Sequence, residues 1–408
     1  MDSKSLAVQD RAQWRILFFI SLTLAFSIST WFSASAVVPQ LETEWGLSSS
    51  SAAWLTIAVQ IGFVVGAVLA SLFNLPDLIS ARYGIMVGAL GTAAANGLLL
   101  LAKGPVLGIP MRFLTGFFIA AVYPPGFKLI STWFRQKRGT ALGLAAAAIV
   151  FGNGSPHLVN ALGGLQWRVV IIVTSALALI GALIAGLLIR EGPYPFPQAV
   201  FDPQQISIAM KNRGVRLSTF GYIGHMWELF AMVAWILIFF GQTFKLHGLR
   251  SVAAPAFATF GVFFVGAVGS WIGGVMADRW GRANTTILLM AISGTCALTI
   301  GLVYQASLTL TLLIAFIWGI TIVGDSAQFS TMVTETADQS YVGTALTIQL
   351  AAGFAVTVVT IWLLPYLQAW FSWRRAFAVL ATGPAFGIWA MLRLKASPDI
   401  VKIGGGRG

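Results

Sequence analysis

Twelve stretches of mostly apolar residues, separated by short polar turns, constrain this chain more than any other feature. They lie near residues 14–39, 52–74, 83–102, 105–128, 139–162 and 168–190, and then 215–242, 252–275, 284–303, 306–330, 342–367 and 372–393. Each is about long enough, at 1.5 Å rise per residue, to cross roughly 30 Å of hydrocarbon as a helix. Lipid offers the backbone no partners, so such segments must close their hydrogen bonds internally, and the expected fold class is an all-α membrane protein of twelve transmembrane helices. Composition excludes the soluble alternatives. Only 9% of residues are charged, 57% are hydrophobic and the mean hydropathy is +0.83, whereas a soluble domain carries about a quarter charged residues. Cys296 is the single cysteine, so no intramolecular disulfide, thiol pair or cysteine-rich metal site can form, and no metal or cofactor is expected. The first span follows a short basic head and is too long, without a small-residue cleavage site, for a removable signal. It is expected to remain as the first helix.

The net charge of +12 is explained by orientation. With the amino terminus inside, 18 of the 25 Lys and Arg residues fall on inner loops, tails and helix ends, among them Lys128, Arg190, Arg216 and Arg393. Outer segments hold Lys103, Arg168, Lys245, Arg250, Arg374 and Arg375. The asymmetry predicts a multi-pass protein of a bacterial-type inner membrane with both termini cytoplasmic. The cations are dispersed over many loops and form no stripe, so the expected partners are the lipid bilayer, a small-molecule solute and protons, with no nucleic acid. A monomer is expected. Trp45, Trp167 and Trp373 fall near predicted interfaces, where belt residues belong.

Residues 191–213 are the longest polar stretch and carry three prolines near their start, which breaks the helical pattern. The expected organisation is a six-helix bundle over 1–190, a cytoplasmic linker over 191–213 and a second six-helix bundle over 214–408. The halves repeat. Gly139-Thr140-Ala141-Leu142 recurs as Gly343-Thr344-Ala345-Leu346 after 204 residues, Trp167-Arg168 as Trp373-Arg374 after 206, and Asp77 and Asp278 stand 201 apart. Six helices per half give the two repeats the same orientation, an arrangement with its site at the interface.

The stretch Gly274-Val275-Met276-Ala277-Asp278-Arg279-Trp280-Gly281-Arg282 resembles the loop signature of the major facilitator superfamily. The first-half equivalent, Asn74 to Arg82, keeps an acid and a base without the usual glycines. Arg112-Phe113-Leu114-Thr115-Gly116 resembles the family's Arg-x-x-x-Gly element, and Gly154-Ser155-Pro156 with Gly163-Gly164 is similar to its helix 5 glycine-proline element. The resemblance spans nearly the whole chain. It implies two pseudo-symmetric bundles around a cavity lined by helices 1, 4, 7 and 10, with gating by Asp77, Arg82, Asp278, Arg279 and Arg282. Trp133-Phe134 with Arg138-Gly139-Thr140-Ala141-Leu142-Gly143 is loosely similar to the nitrate/nitrite and cyanate permease branch. The arginines that nitrate porters carry in helices 2 and 8 are missing from 52–74 and 252–275, so nitrate itself is not implied.

A charge at the bilayer centre costs roughly 2.5–3.5 kcal/mol on insertion scales, so a buried ion needs a partner or a task. Arg112 in the fourth span, Glu228 in the seventh and Asp325 in the tenth are such ions. Glu228 lies roughly 16 Å from the inner end, near the midplane, with His225 three residues earlier on the same face, placed for a hydrogen bond or proton hand-over. Glu228, His225 and Asp325 are the proton-coupling candidates; the plainer alternative is helix glue. Thr321, Asp325 and Gln328 form a stripe on one helix face. Arg112, roughly 9 Å from the outer end, could capture an anion or bond backbone carbonyls where helices 1 and 4 meet. Asn153, His157 and Asn160 share a face beside Pro156, a plausible hinge. Trp31, Gln60, Tyr123, His157, Trp227 and Gln328 complete the substrate-binding candidates with Arg112. Gly62-x-x-x-Gly66 and Gly269-x-x-x-Gly273 offer small faces for close helix approach.

No phosphate-binding loop, nucleophile elbow or metal-ligand spacing is present, so an enzyme is not expected. The expected function is secondary active transport of a small solute, an organic or inorganic anion among the options, by alternating access coupled to protons. The alternatives are a proton-driven exporter of drugs or cationic or apolar compounds, and a non-transporting solute receptor on the same fold.

Overall fold

The computed structural model describes residues 3–73, 79–134, 137–163, 166–194, 202–251, 253–338 and 340–406. Its spans are α1 (Ser3–Ile28), α2 (Ser49–Leu72), α3 (Ala81–Leu101), α4 (Pro105–Trp133), α5 (Arg138–Leu162) and α6 (Trp167–Leu187) in the first half. The second half holds α7 (Arg213–Leu246), α8 (Ala253–Trp280), α9 (Arg282–Val303) and α10 (Leu308–Thr336). The remaining helical run, Val342–Lys395, is broken at Ser372, where φ is +53°. That left-handed residue divides it into α11 (342–371) and α12 (373–395), so Trp373 opens a new helix as Trp167 does.

The repeat is visible in the packing. Among the closest pairs of the first half are α1–α5, α1–α6, α2–α4, α3–α4 and α3–α6; the second half repeats them as α7–α11, α7–α12, α8–α10, α9–α10 and α9–α12. The halves meet through α2 with α11 and α5 with α8, again a symmetric set. Small residues set the register. A Cβ on Gly66 would stand 2.5 Å from the Phe117 carbonyl oxygen, and one on Gly269 2.1 Å from that of Ile320. A Cβ on Gly116 would meet the Val59 oxygen at 2.0 Å, and one on Gly319 that of Val262 at 2.6 Å. All four correspondences keep an offset of 203, so the counterpart of Gly66 in the second half is Gly269. Backbone runs against backbone here, and any side chain would hold the helices apart.

The first helix departs from expectation. It ends at Ile28, and 29–34 are turns leading into the 3₁₀ turn Ser35–Val37. Three hydroxyls in this stretch turn back to carbonyls three residues earlier: Ser29 to Phe26 at 2.7 Å, Thr30 to Ser27 at 2.8 Å and Ser33 to Thr30 at 2.9 Å. Such local bonds compete with the helical ladder. The belt assignment of Trp167 and Trp373 is also corrected: both are buried, Trp167 donating to Glu44 and Trp373 packing on Phe239 and Phe377. Exposed tryptophans include Trp54, Trp271, Trp280, Trp362, Trp370 and Trp389. Within 191–213, residues 195–201 lie outside the described residues; the short helix Ile206–Lys211 buries Ala209 against Val215, Val333 and Ala345.

Candidate functional site

The buried acids gather in the second half. α7 carries His225 and Glu228 one turn apart. Glu228 is fully enclosed: its Oε1 accepts from Trp318 Nε1 of α10 at 2.8 Å, and its Oε2 from the Ser293 hydroxyl of α9 at 2.9 Å. His225 does not turn to Glu228 as the shared face suggested. Its Nδ1 stands 2.9 Å from Asp325 Oδ1, both side chains 2% exposed, a close buried contact of imidazole with carboxyl. Its Nε2 is 2.9 Å from the Ser326 hydroxyl. Asp325 stands at the junction of two helical runs of α10, Leu308–Gly324 and Ser326–Thr336. The polar stripe of α10 disperses: Thr321 bonds back to the Ile317 carbonyl, Asp325 meets His225, and the Gln328 carbonyl oxygen accepts from Arg282 at 3.1 Å. Gln328 is thereby joined to the Arg282–Glu335 contact.

Arg112 lies in the first half with its guanidinium wholly buried. Nε donates to the Leu55 carbonyl at 3.1 Å; Nη1 is 2.9 Å from the Thr30 carbonyl, 3.0 Å from the Ser33 hydroxyl and 3.1 Å from Asn96 Oδ1; Nη2 donates to the Trp31 carbonyl. The acceptors Thr30 and Trp31 belong to the broken end of α1. The arginine thus bonds backbone carbonyls at the broken end of α1, where the Thr30 oxygen also accepts from the Ser33 hydroxyl. Each such bond to a charged donor contributes about 1.5–3 kcal/mol.

Between the halves lies a cluster of aromatic rings. Trp31 and Phe32 from the broken stretch of α1, with Phe63 of α2, face Phe230 of α7, Phe263 of α8 and Phe354 of α11. Cross-half centroid distances are 5.0 Å for Phe63–Phe354, 5.8 Å for Trp31–Phe354 and for Phe32–Phe263, and 6.1 Å for Phe32–Phe230. Aromatic pairs at this range contribute about 0.5–1.5 kcal/mol beyond area burial. Tyr123 adjoins the cluster through Phe63 at 6.1 Å, and the His157 ring of α5 stacks on Phe263 at 5.5 Å. Gln60, His157 and Trp31 are buried here without hydrogen bonds among the described residues: neither atom of the Gln60 amide, neither His157 nitrogen, nor Trp31 Nε1 has a partner there. An orphaned buried polar group costs about 1–3 kcal/mol. Trp227 packs beside Gly383 of α12 and against the cluster that holds Trp31 and Phe354.

At the end of the bundle carrying the signature loop, Arg282 makes a two-pronged contact to Glu335, with Nε to Oε2 at 3.0 Å and Nη2 to Oε1 at 2.9 Å, and approaches Asp278 at 3.9 Å. The Gly404 amide of the tail donates to Glu335 Oε2 at 3.1 Å. Asp278 and Arg279 are exposed. Asp77 lies outside the described residues. Arg82 contributes its backbone amide to Glu191 at 3.2 Å, with Ser80 donating to the same oxygen at 2.8 Å, while its guanidinium bonds the Tyr83 hydroxyl. Spacing did not reveal Trp318, Ser293, Ser326, Ser33 or Asn96, all partners from other segments. Glu335 was within reach: it continues the face of Asp325 and Gln328 at i+10.

A family model for the Major Facilitator Superfamily matches residues 18–346. The chain belongs to this family. It is 29% identical over 233 residues to a probable actinorhodin transporter of Streptomyces coelicolor, covering 53% of this chain and 38% of that protein. It is 25% identical over 274 residues to the MFS transporter asaE of Aspergillus flavus, covering 62% of this chain and 57% of the other. The chain thus matches less than two thirds of the length of these curated relatives. These relatives are other transporters of the superfamily, and the nitrate/nitrite and cyanate resemblance gains no support from them. In fold it is similar to a D-xylose–proton symporter, with TM-score 0.72, 17% identity and coverage of 93% and 97% of the two chains. A bacterial homolog of the human lysosomal transporter Spinster has TM-score 0.72, 14% identity and coverage of 95% and 99%.

Proposed function

We propose that the chain is a secondary transporter of a small solute, coupled to protons through His225, Asp325 and Glu228. It is a carrier and not an enzyme, as its relatives are transporters of the same family. The observation that supports the coupling most directly is the contact of His225 with Asp325, 2.9 Å apart and buried one helical turn from Glu228. These groups have partners that tolerate a change of protonation: an imidazole facing a carboxylate, and a second carboxylate held by an indole and a hydroxyl. A proton bound here would alter contacts among α7, α9 and α10 together, the kind of differential contact that biases a two-state carrier. The two bundles, joined by the linker over 191–213, would rock about the ring cluster, with both termini on the cytoplasmic side. The solute needs no negative charge, because Arg112 spends its donors on the protein.

The test is transport in vesicles. Asp325→Asn and Glu228→Gln are expected to abolish accumulation driven by a pH step while leaving solute counterflow largely intact. Unchanged pH-driven accumulation in both variants would remove the coupling role, and a wild-type protein that binds solute without exchanging it would remove transport itself.

A further inference from the structure

The ring cluster leaves two features that proton coupling does not use. Its cross-half contacts join one face built by Trp31 and Phe63 to another built by Phe230 and Phe354, with Phe63–Phe354 at 5.0 Å and Trp31–Phe230 at 6.2 Å. Every such contact is lost when the halves part, and a solute entering between them must replace it. A flat π system presents a face to each wall and restores the ring contacts; a saturated solute of equal volume restores only the burial. Polar groups without partners among the described residues lie at the same place. Gln60 shares the face of α2 that carries Phe63 and turns to α11, fully buried, with donor and acceptor both unused, and Trp31 Nε1 is likewise unbonded. His157, stacked behind Phe263, holds two more unused nitrogens. The preceding turn of α2 does satisfy its hydroxyl, Thr56 to Ser35 at 2.6 Å, so the idle amide is not a property of the region. An apolar enclosure with a few convergent polar groups is the usual make-up of a small-molecule site.

We propose that this site takes a flat, uncharged aromatic solute with hydroxyl or carbonyl oxygens on its rim, its ring between Trp31, Phe63, Phe230 and Phe354 and its oxygens bonded by Gln60 and Trp31. The inference names the substrate class within the transport reading above and rests on it.

The full chain in lipid nanodiscs, titrated calorimetrically with 1-naphthol and with its saturated analogue decahydro-1-naphthol against empty discs, tests the proposal. Saturable binding of 1-naphthol, with the saturated analogue about tenfold weaker, is expected. Gln60→Leu should weaken 1-naphthol by about tenfold while leaving the melting temperature equal or higher, because it removes idle polar atoms. A merely structural glutamine would move the melting temperature and not the affinity. Phe354→Leu should weaken binding and Phe354→Tyr restore it. Equal affinity for both alcohols, no binding of 1-naphthol, or unchanged affinity in Gln60→Leu would overturn the proposal. Counterflow separates the two claims: 1-naphthol bound but never exchanged removes transport and leaves the site, whereas exchange of non-aromatic solutes without 1-naphthol binding removes the site and leaves transport.

Discussion

In the first half the buried charge is Arg112, enclosed by the carbonyls of Leu55, Thr30 and Trp31 and the side chains of Ser33 and Asn96. In the second half the buried charges are Glu228 and Asp325, which meet a histidine, an indole and a hydroxyl. The scaffolds match helix for helix, so the difference lies in what each charge can do. A guanidinium cannot give up its proton in a protein, and three of its partners are backbone carbonyls that can only accept, so its arrangement suits a permanent cation. A carboxyl opposite an imidazole has more than one stable proton distribution.

The sharpest way to break this contrast is Arg112→Ala. Removal of the guanidinium leaves several buried acceptors unbonded at about 1–3 kcal/mol each, so the expected result is a large loss of folded protein in detergent and equal loss of transport for neutral and anionic solutes. A stable variant that loses anionic solutes alone would show that Arg112 meets the solute. Next in size are the glycine contacts. Gly269→Ala and Gly66→Ala each push a Cβ into the facing carbonyl, and the closer approach at Gly269, 2.1 Å against 2.5 Å, predicts the larger drop in melting temperature for the second-half variant. Equal melting temperatures for wild type and both variants would mean that the helices can separate at no cost. The smallest effect belongs to Glu44, in the segment between α1 and α2. Its carboxylate is held below the ordinary glutamate value of 4.5 by the Trp167 indole, with Arg168 adding its bond and charge. A depressed folded value means that its stabilisation is present above pH 4.5 and is lost as pH falls further. Glu44→Gln should therefore flatten a slight loss of melting temperature below that pH and change little at neutrality.

Part of the site was legible in the chain. Glu228, His225 and Asp325 stood out because charge within an apolar span is rare, and all three prove to be buried in one region. Their pairing was not legible. His225 and Glu228 share a helix face, yet it is Asp325 of α10 that stands at the imidazole. Trp227 of the same span packs beside Gly383 of α12 and against the cluster that holds Trp31 and Phe354, a placement its spacing does not show. The break in α1 was hidden beneath continuous hydropathy, because local hydroxyl bonds and the reach of Arg112 across three helices produce it.

Span number, the twofold repeat and the residues whose charge demands a partner followed from the sequence alone, because lipid imposes length and apolarity on every segment one at a time. Tertiary structure decided which partner each buried ion receives, where the helices break and which rings meet between the halves. Those outcomes depend on groups far apart in the chain arriving at hydrogen-bond or van der Waals distance, and the spacing along one helix carries no record of what stands opposite.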